Sequence, residues 1–209
     1  MKIFLLLIIF AISGSVYSQS LLPNQLTSPK KNYLEQLDNQ VFVTYNYIHN
    51  LGKFGDDYDY GSGATLNYGK YFANSWLVIA RVGYIKQNLR SGVDSGAYKD
   101  FNVYPIHVGG RFYLYKKIFM PYFSFMNGIN LIGASDFLGN GEVSDQKFIR
   151  YAFQVGFGFD VKFAKNFGVN LNINYNNSFY EDYDVYDEQN SKMLTGFEYV
   201  GGLFYSFGK

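Results

Sequence analysis

The sequence predicts an all-β fold in which eight antiparallel strands close into an up-and-down barrel. The first observation is a strict period of two in RYAFQVGFGFDVKFA (150–164), where bulky apolar residues alternate with small or polar ones. A period of two gives a strand two chemically different faces. The second is composition, because 21 Tyr, 21 Phe and 22 Gly favour strands and turns over helices. The third is the succession of similar segments from residue 40 onward.

The N-terminus has the pattern of an export signal. Lys2 precedes an apolar run from Ile3 to Ile12, and small residues follow as far as Ser18. This is the anatomy of a secretory signal peptide cleaved after Ser18, since a spanning helix needs about 20 apolar residues. An uncleaved membrane anchor is the alternative. The predicted divisions are a signal peptide (1–18), a periplasmic leader (19–38) and the barrel domain (39–209).

The barrel domain is divided by connections that alternate between long and short. The predicted strands are 40–49, 61–73, 75–87, 101–115, 120–134, 148–164, 167–180 and 194–208. Each of the four long connections carries acidic residues, whereas the short ones carry Lys116, Lys117 and Lys165. In an up-and-down meander, all long loops therefore emerge at one rim and all short turns at the other.

The strands differ in how clearly they alternate. In the seventh strand, Asn occupies every position of one face from Asn170 to Asn176. The third strand is ambiguous, because Arg81 lies among apolar residues such as Leu77 and Ile79. In the fifth strand, Asn127 shares a face with apolar neighbours. A β-bulge is one way to resolve either case.

Volume and charge indicate which face of the strands meets the outside. An eight-stranded barrel is just wide enough to be filled by side chains, so the aromatic faces of all strands do not fit inside. Arg150, Gln154 and Asp160 share the opposite face of the sixth strand, and Arg or Lys facing lipid costs up to about 2–4 kcal/mol near the midplane. The aromatic faces are thus predicted to meet lipid, where no sheet edge is tolerated. The predicted fold is an eight-stranded antiparallel up-and-down transmembrane β-barrel.

The chain resembles the eight-stranded outer-membrane β-barrels of Gram-negative bacteria, of the OmpX and OmpA-transmembrane-domain type. The resemblance is carried by the alternating strand from Arg150, the Asn-interleaved strand from Val169 and the ending GLFYSFGK (202–209). It covers roughly residues 40–209. It implies a location in the cell outer membrane, with long loops outside, and it gives Phe207 the role of the aromatic assembly signal, here followed by two further residues.

Six ionisable residues are predicted to face the lumen. They are Arg81, His107, Arg111, Arg150, Asp160 and Glu198. Charges in so narrow a space must be paired or hydrogen-bonded. We expect an ion-pair network that plugs the barrel, because water-filled channels belong to barrels of about 16–18 strands. A narrow channel is the alternative.

The candidates for catalysis and metal binding are sparse. Neither His49 nor His107 is followed two residues later by Ser; a catalytic triad is recognised by geometry rather than order, so a lipid-modifying enzyme stays an alternative to the expected absence of enzyme activity. The acidic stretches 57–59 and 181–184 do not complete a calcium loop. No metal or cofactor is predicted, and a net charge of +1 gives no case for a nucleic-acid partner.

Two of the long loops interleave Tyr with acid. The residues are Asp56, Asp57, Tyr58, Asp59, Tyr60, Glu181, Asp182, Tyr183, Asp184 and Tyr186. Tyr supplies contact area at low entropy cost, as in recognition loops. These loops are predicted to be either a partner-binding rim or solvated loops.

The sequence therefore favours a structural or surface-interaction role, with outer-membrane lipid and a surface or periplasmic protein as partners. The alternatives are a narrow channel, a lipid-modifying enzyme, and an accessory subunit of a secretion or motility assembly contacted through residues 19–38. A soluble lipocalin-like carrier is a further alternative, which would turn the apolar faces inward around a ligand. Its Gly-x-Trp signature is not visible around Trp76, the only Trp.

Overall fold

The strands form one closed sheet in a computed structural model, which describes residues 39–92, 101–137, 143–179 and 193–208. The strands pair antiparallel in sequence order, and the last pairs with the first. Their bounds are β1 (Asn39–Leu51), β2 (Tyr58–Ala73), β3 (Trp76–Leu89), β4 (Phe101–Tyr113), β5 (Phe119–Phe137), β6 (Val143–Lys162), β7 (Phe167–Phe179) and β8 (Met193–Phe207), with one short helix, α1 (Gly52–Asp57). The predicted fold class is confirmed. Signal peptide and leader lie outside the described residues and stay predictions.

The sheet closes without an unpaired edge. The β1–β8 pairing runs from Asn39 opposite Phe207 to Leu51 opposite Thr195, along the whole of β1. Because the strand number is even, both described ends of the chain lie at the rim that carries the short turns. Closure satisfies the backbone hydrogen bonds of every strand within the sheet, which is what hydrocarbon requires.

The period of two in the sequence becomes an inside and an outside. In β6, Gln154 and Asp160 are buried in the lumen, whereas Val155 and Phe157 are exposed on the outer surface. In β7 and β8, Asn170 and Glu198 are fully buried. The soluble lipocalin-like alternative required the aromatic face to lie inside, and the structure places that face outside.

The ambiguous third strand needs no bulge. Leu77, Ile79 and Arg81 are all buried on the lumen face of β3, and the pairing of β3 with β4 keeps one register throughout. The lumen face is therefore not lined by polar residues alone, because the two ends of the lumen are apolar. In β5, Asn127 lies on the outer side of the strand, opposite Val108 and Phe153.

Two predicted loops are shorter than the sequence suggested. The segment predicted as loop 50–60 contains α1, because the Asn50 side chain donates to the Tyr58 carbonyl (3.2 Å) and Phe54 is buried. The segment predicted as loop 135–147 is mostly strand, because β5 and β6 stay paired as far as Phe137 and Val143. The β5–β6 hairpin therefore extends further at the long-loop rim than predicted.

In the described part of the chain, no helix has both the length and the apolar character needed to cross a membrane.

Candidate functional site

The lumen is built in three layers. The short-turn tier is an apolar cluster of Phe42, Leu77, Ile79, Tyr113, Met120, Tyr122, Met126 and Phe204. The long-loop tier is an apolar cluster of Ile48, Phe54, Ile85, Phe101, Val103 and Ile132. Between them lies the polar centre, where buried polar and charged side chains project from seven strands: Thr44, Asn46, Thr65, Asn67, Arg81, His107, Gln154, Asn174 and Glu198.

The polar centre is organised by an ion pair between Arg81 and Glu198, both almost fully buried. The contact is bidentate, with Arg81 Nη1 3.0 Å from Glu198 Oε2 and Nη2 in contact with Oε1. Gln154 Oε1 accepts a second hydrogen bond from Nη1 at 2.8 Å. On the acid side, Asn174 Nδ2 donates to Glu198 Oε2 at 3.0 Å. Buried charges need such partners.

A second ion pair joins Arg111 to Asp160 at the border between the short-turn tier and the polar centre. Arg111 Nη1 lies 3.3 Å from Asp160 Oδ1, and the guanidinium carbon stands over the rings of Phe42 (4.4 Å) and Tyr122 (4.3 Å). Asp160 also accepts hydrogen bonds from Tyr113 Oη and Asn170 Nδ2, each at 2.6 Å. The positive charge of Arg111 is therefore stabilised by two aromatic faces as well as by the Asp160 carboxylate.

The other two predicted lumen residues lie apart from these pairs. His107 is buried in the polar centre, with Nε2 3.0 Å from Asn130 Oδ1. It lines a void of about 40 Å³ below the long-loop tier. Arg150 is half-buried towards the long-loop end of β6, where Nη1 donates to the Ile149 carbonyl at 3.2 Å.

The six lumen residues predicted from the sequence do not include the neutral side chains that complete the two networks. Asn46, Gln154 and Asn174 hydrogen-bond the Arg81–Glu198 pair, and Asn170 and Tyr113 hydrogen-bond Asp160. The alternation of β6 and β7 in the sequence already indicates that Gln154, Asn170 and Asn174 face the lumen. The alternation does not give the pairing register between strands, and this register decides which amide contacts which charged side chain.

The long-loop mouth is covered by α1. The Phe54 ring stacks on Tyr58 at 4.8 Å and meets Phe101 edge-on at 5.8 Å. Tyr58, one of the residues predicted for external recognition, is half-buried at the start of β2, and its ring packs edge-on against Phe101 with ring centroids 4.8 Å apart. Gly52 has a φ of 63°, which allows the chain to turn from β1 into α1.

The remaining predicted recognition residues divide into two groups. Asp56 is exposed in α1, and Asp57 is half-buried there. Asp59 lies 3.7 Å from Arg90 in an exposed ion pair, and the Tyr60 ring stacks on Tyr47 at 5.6 Å. The second group lies outside the described residues: Glu181, Asp182, Tyr183, Asp184 and Tyr186.

The outer surface is an apolar belt that needs a non-aqueous environment. The belt contains exposed residues from all eight strands, among them Val43, Tyr68, Val82, Ile106, Phe123, Tyr151, Ile173 and Leu203. Soluble monomers rarely expose contiguous apolar patches beyond a few hundred Å². Together with closure of the sheet, the belt makes this a membrane-spanning barrel.

The described residues contain no group of three or more His, Cys, Asp and Glu side chains arranged to hold a metal ion. His49 is exposed on the outer side of β1, and His107 is buried in the lumen. The two His side chains therefore do not converge on one site.

These features define the class of protein as an eight-stranded transmembrane β-barrel of the outer-membrane type. Among solved structures, the chain is similar to neisserial surface protein A (16% identity, TM-score 0.54), covering 81% of this chain and 97% of that one. It is also similar to the outer membrane protein OprG from Pseudomonas aeruginosa (14% identity, TM-score 0.57), covering 83% and 97%. No family model and no curated protein matches the sequence. The likeness confirms the predicted fold.

Proposed function

We propose that this chain is an outer-membrane protein with a structural or surface-interaction role, which presents its long loops outside the cell. The observation that carries the proposal is the contrast between a lumen that buries two ion pairs and an outer surface that is an apolar belt. Such a molecule has its polar, water-facing surface at the rims. At the long-loop rim β5 and β6 stay paired as far as Phe137 and Val143, beyond their predicted ends.

The proposal includes a lumen closed to solutes. Two apolar tiers and two ion pairs lie across the axis of the barrel. One void beside the long-loop tier and one at the polar centre have volumes of only about 40 Å³ and 20 Å³, and a single water needs about 10–15 Å³. We expect no single-channel conductance when the refolded protein is inserted into a planar bilayer. A steady conductance would favour the narrow-channel alternative.

The orientation can be tested because the chain contains no Cys. Asp56→Cys places a thiol on exposed α1, and Lys165→Cys is its matched control on the exposed turn at the opposite rim. We expect a membrane-impermeant maleimide to label Asp56→Cys in intact cells and Lys165→Cys only after permeabilisation. The reverse pattern would contradict loops that face outward.

The interaction role is tested in the acidic, Tyr-rich segment that separates β7 from β8 in the sequence. A variant in which Glu181, Asp182 and Asp184 become amides keeps the barrel residues intact. If the loop binds a partner, mild cross-linking of intact cells yields a protein adduct with the wild type, and the variant loses it. Equal adducts, or none with either protein while both barrels are folded, would favour solvated loops without a partner.

A further inference from the structure

An apolar groove interrupts the belt on its outer side. It has a volume of about 520 Å³ and is lined by residues of β6, β7, β8 and β1. At its centre Gly201 occupies an outward position of β8, between the exposed Tyr199 and Leu203. The groove exists because this position of the belt carries no side chain.

Two rows of paired residues form the groove. The row through its centre is Tyr45, Gly201, Leu171 and Phe159, and the next row is Tyr47, Tyr199, Ile173 and Phe157. In the central row, the missing side chain opens a slot between Tyr45 and Leu171. Neighbouring strands lie about 4.7–4.9 Å apart, so the backbones on either side of β8 are about 10 Å apart. The slot is therefore narrow and elongated.

One wall of the groove is held in place by ring contacts. The Tyr47 ring stacks on Tyr60 at 5.6 Å and lies 6.4 Å from the Tyr199 ring. A site whose walls are already ordered requires less side-chain ordering when a ligand binds. The groove therefore has the properties of a preformed apolar site.

We propose that this groove holds a single acyl chain of a phospholipid as a fixed ligand. The groove is continuous with the lipid-facing belt, so hydrocarbon is the medium that reaches it. The inference rests on the membrane placement proposed above. A phospholipid is favoured over an anionic glycolipid, which needs basic partners for its phosphates. In the described residues, the outer positions at the long-loop ends of β1, β7 and β8 include His49, Asn177 and Phe197 but no Lys or Arg, and the outer positions of β6 from Ile149 to Val161 carry none either. Lys147 of β6 lies ten residues from the groove residue Phe157.

The groove can be filled without disturbing the backbone. A Cβ at Gly201 meets only Leu171 Cδ2, at an ordinary contact distance of 3.4 Å, so Gly201→Val is expected to fold and to occupy the slot. Gly133→Val is the matched control, because a Cβ there meets nothing within 4 Å and β5 does not line the groove. Gly201→Ala is a milder second variant.

The test counts lipids retained by the three variants and the wild type. Each is refolded into phosphatidylcholine vesicles, checked for a mobility shift on boiling, extracted in mild detergent and measured by native mass spectrometry. We expect a single phosphatidylcholine to remain on the wild type and on Gly133→Val. With Gly201→Val the retained fraction should fall about tenfold, as expected when roughly one side chain of apolar contact is lost, and Gly201→Ala should lie between.

The outcomes separate this inference from the proposed function. Equal retention by all four inserted proteins would overturn the groove site and leave the membrane barrel standing. A wild-type protein that does not insert would overturn both. In vesicles that also contain lipid A, preferential retention of lipid A would overturn the choice of occupant.

Discussion

Arg81–Glu198 and Arg111–Asp160 both lie inside the barrel, yet their guanidinium groups have different neighbours. Arg81 is surrounded by amides and by both oxygens of its acid. Arg111 uses a single nitrogen for its acid and places its plane between two aromatic rings. The first pair lies in the polar centre, and the second borders the apolar short-turn tier.

The comparison shows how one narrow lumen keeps two cations by different means. Removing one partner of a buried pair is destabilising because the other charge is left uncompensated. A desolvated cation between rings retains about 2 kcal/mol or more from that contact when its acid is lost. We therefore expect the two pairs to respond differently to the same kind of substitution.

The largest effect is expected at Glu198. Glu198→Gln preserves the shape of the side chain but leaves the buried Arg81 charge without a carboxylate, so the free energy of unfolding should fall by about 3–5 kcal/mol. Guanidinium unfolding in lipid vesicles measures the loss. The control is the double variant Arg81→Met with Glu198→Leu, which removes both charges and should recover most of the stability. A single variant as stable as the wild type would show that the pair is not needed.

A smaller effect is expected at Asp160. Asp160→Asn leaves Arg111 between Phe42 and Tyr122, so the loss in unfolding free energy should be about 1–3 kcal/mol. The same unfolding experiment, run beside Glu198→Gln, gives the ranking. A loss at Asp160 that equals or exceeds the loss at Glu198 would contradict the stabilising role of the rings.

The ring contribution is isolated at Phe42. Phe42→Leu removes one face of the Arg111 site and should lower the free energy of unfolding by about 1–2 kcal/mol. Phe204→Leu is the matched control, because this substitution deletes the same atoms from a neighbouring ring. The Phe204 ring packs on Phe42 with ring centroids 5.5 Å apart. In an Asp160→Asn background, Phe42→Leu should have a larger effect, since the ring then replaces the acid. Equal effects of Phe42→Leu in the wild type and in Asp160→Asn would show that the ring and the acid are not energetically coupled.

The smallest effect on stability is expected at Lys116, whose ammonium group lies over an aromatic ring and, unlike Arg111, has no carboxylate partner among the described residues. Its Nζ stands 3.7 Å above the Tyr71 ring in the turn between β4 and β5, and burial together with nearby Lys162 lowers its pKa to about 8. Unfolded Lys titrates near 10.4, so the unfolded chain binds more protons between these values. The stability of the wild type relative to Lys116→Met should therefore rise with pH from about 8 towards 10. A difference that falls over this range would contradict the lowered pKa.

The amino-acid sequence predicts the two-faced strands well and the packing between them poorly. In β7, and in β6 from residue 150 onward, the alternation alone assigns the lumen face, because bulky and polar residues do not mix there. In β8 the bulky Phe204 shares the lumen face with Glu198. In β3 they do mix, since one strand crosses both an apolar tier and the polar centre. Arg81 and Glu198 are 117 residues apart. Only the closed register brings them together, and a period of two contains no information about register.

The helix α1 was missed for a related reason. Its sequence, GKFGDD, contains two Gly, and the structure gives it no side-chain cap at the N-terminus. A helix of this length is not stable alone. It forms because Phe54 has a buried place between Tyr58 and Phe101, and that place exists only once the barrel has closed.

The most direct test of the closed membrane barrel is cell fractionation followed by electrophoresis of unheated and boiled samples. A closed, lipid-facing barrel is expected in the outer-membrane fraction, with a change of mobility on boiling as the paired sheet opens. A protein found in the soluble periplasmic fraction, with the same mobility before and after boiling, would contradict the assignment of the aromatic belt to lipid.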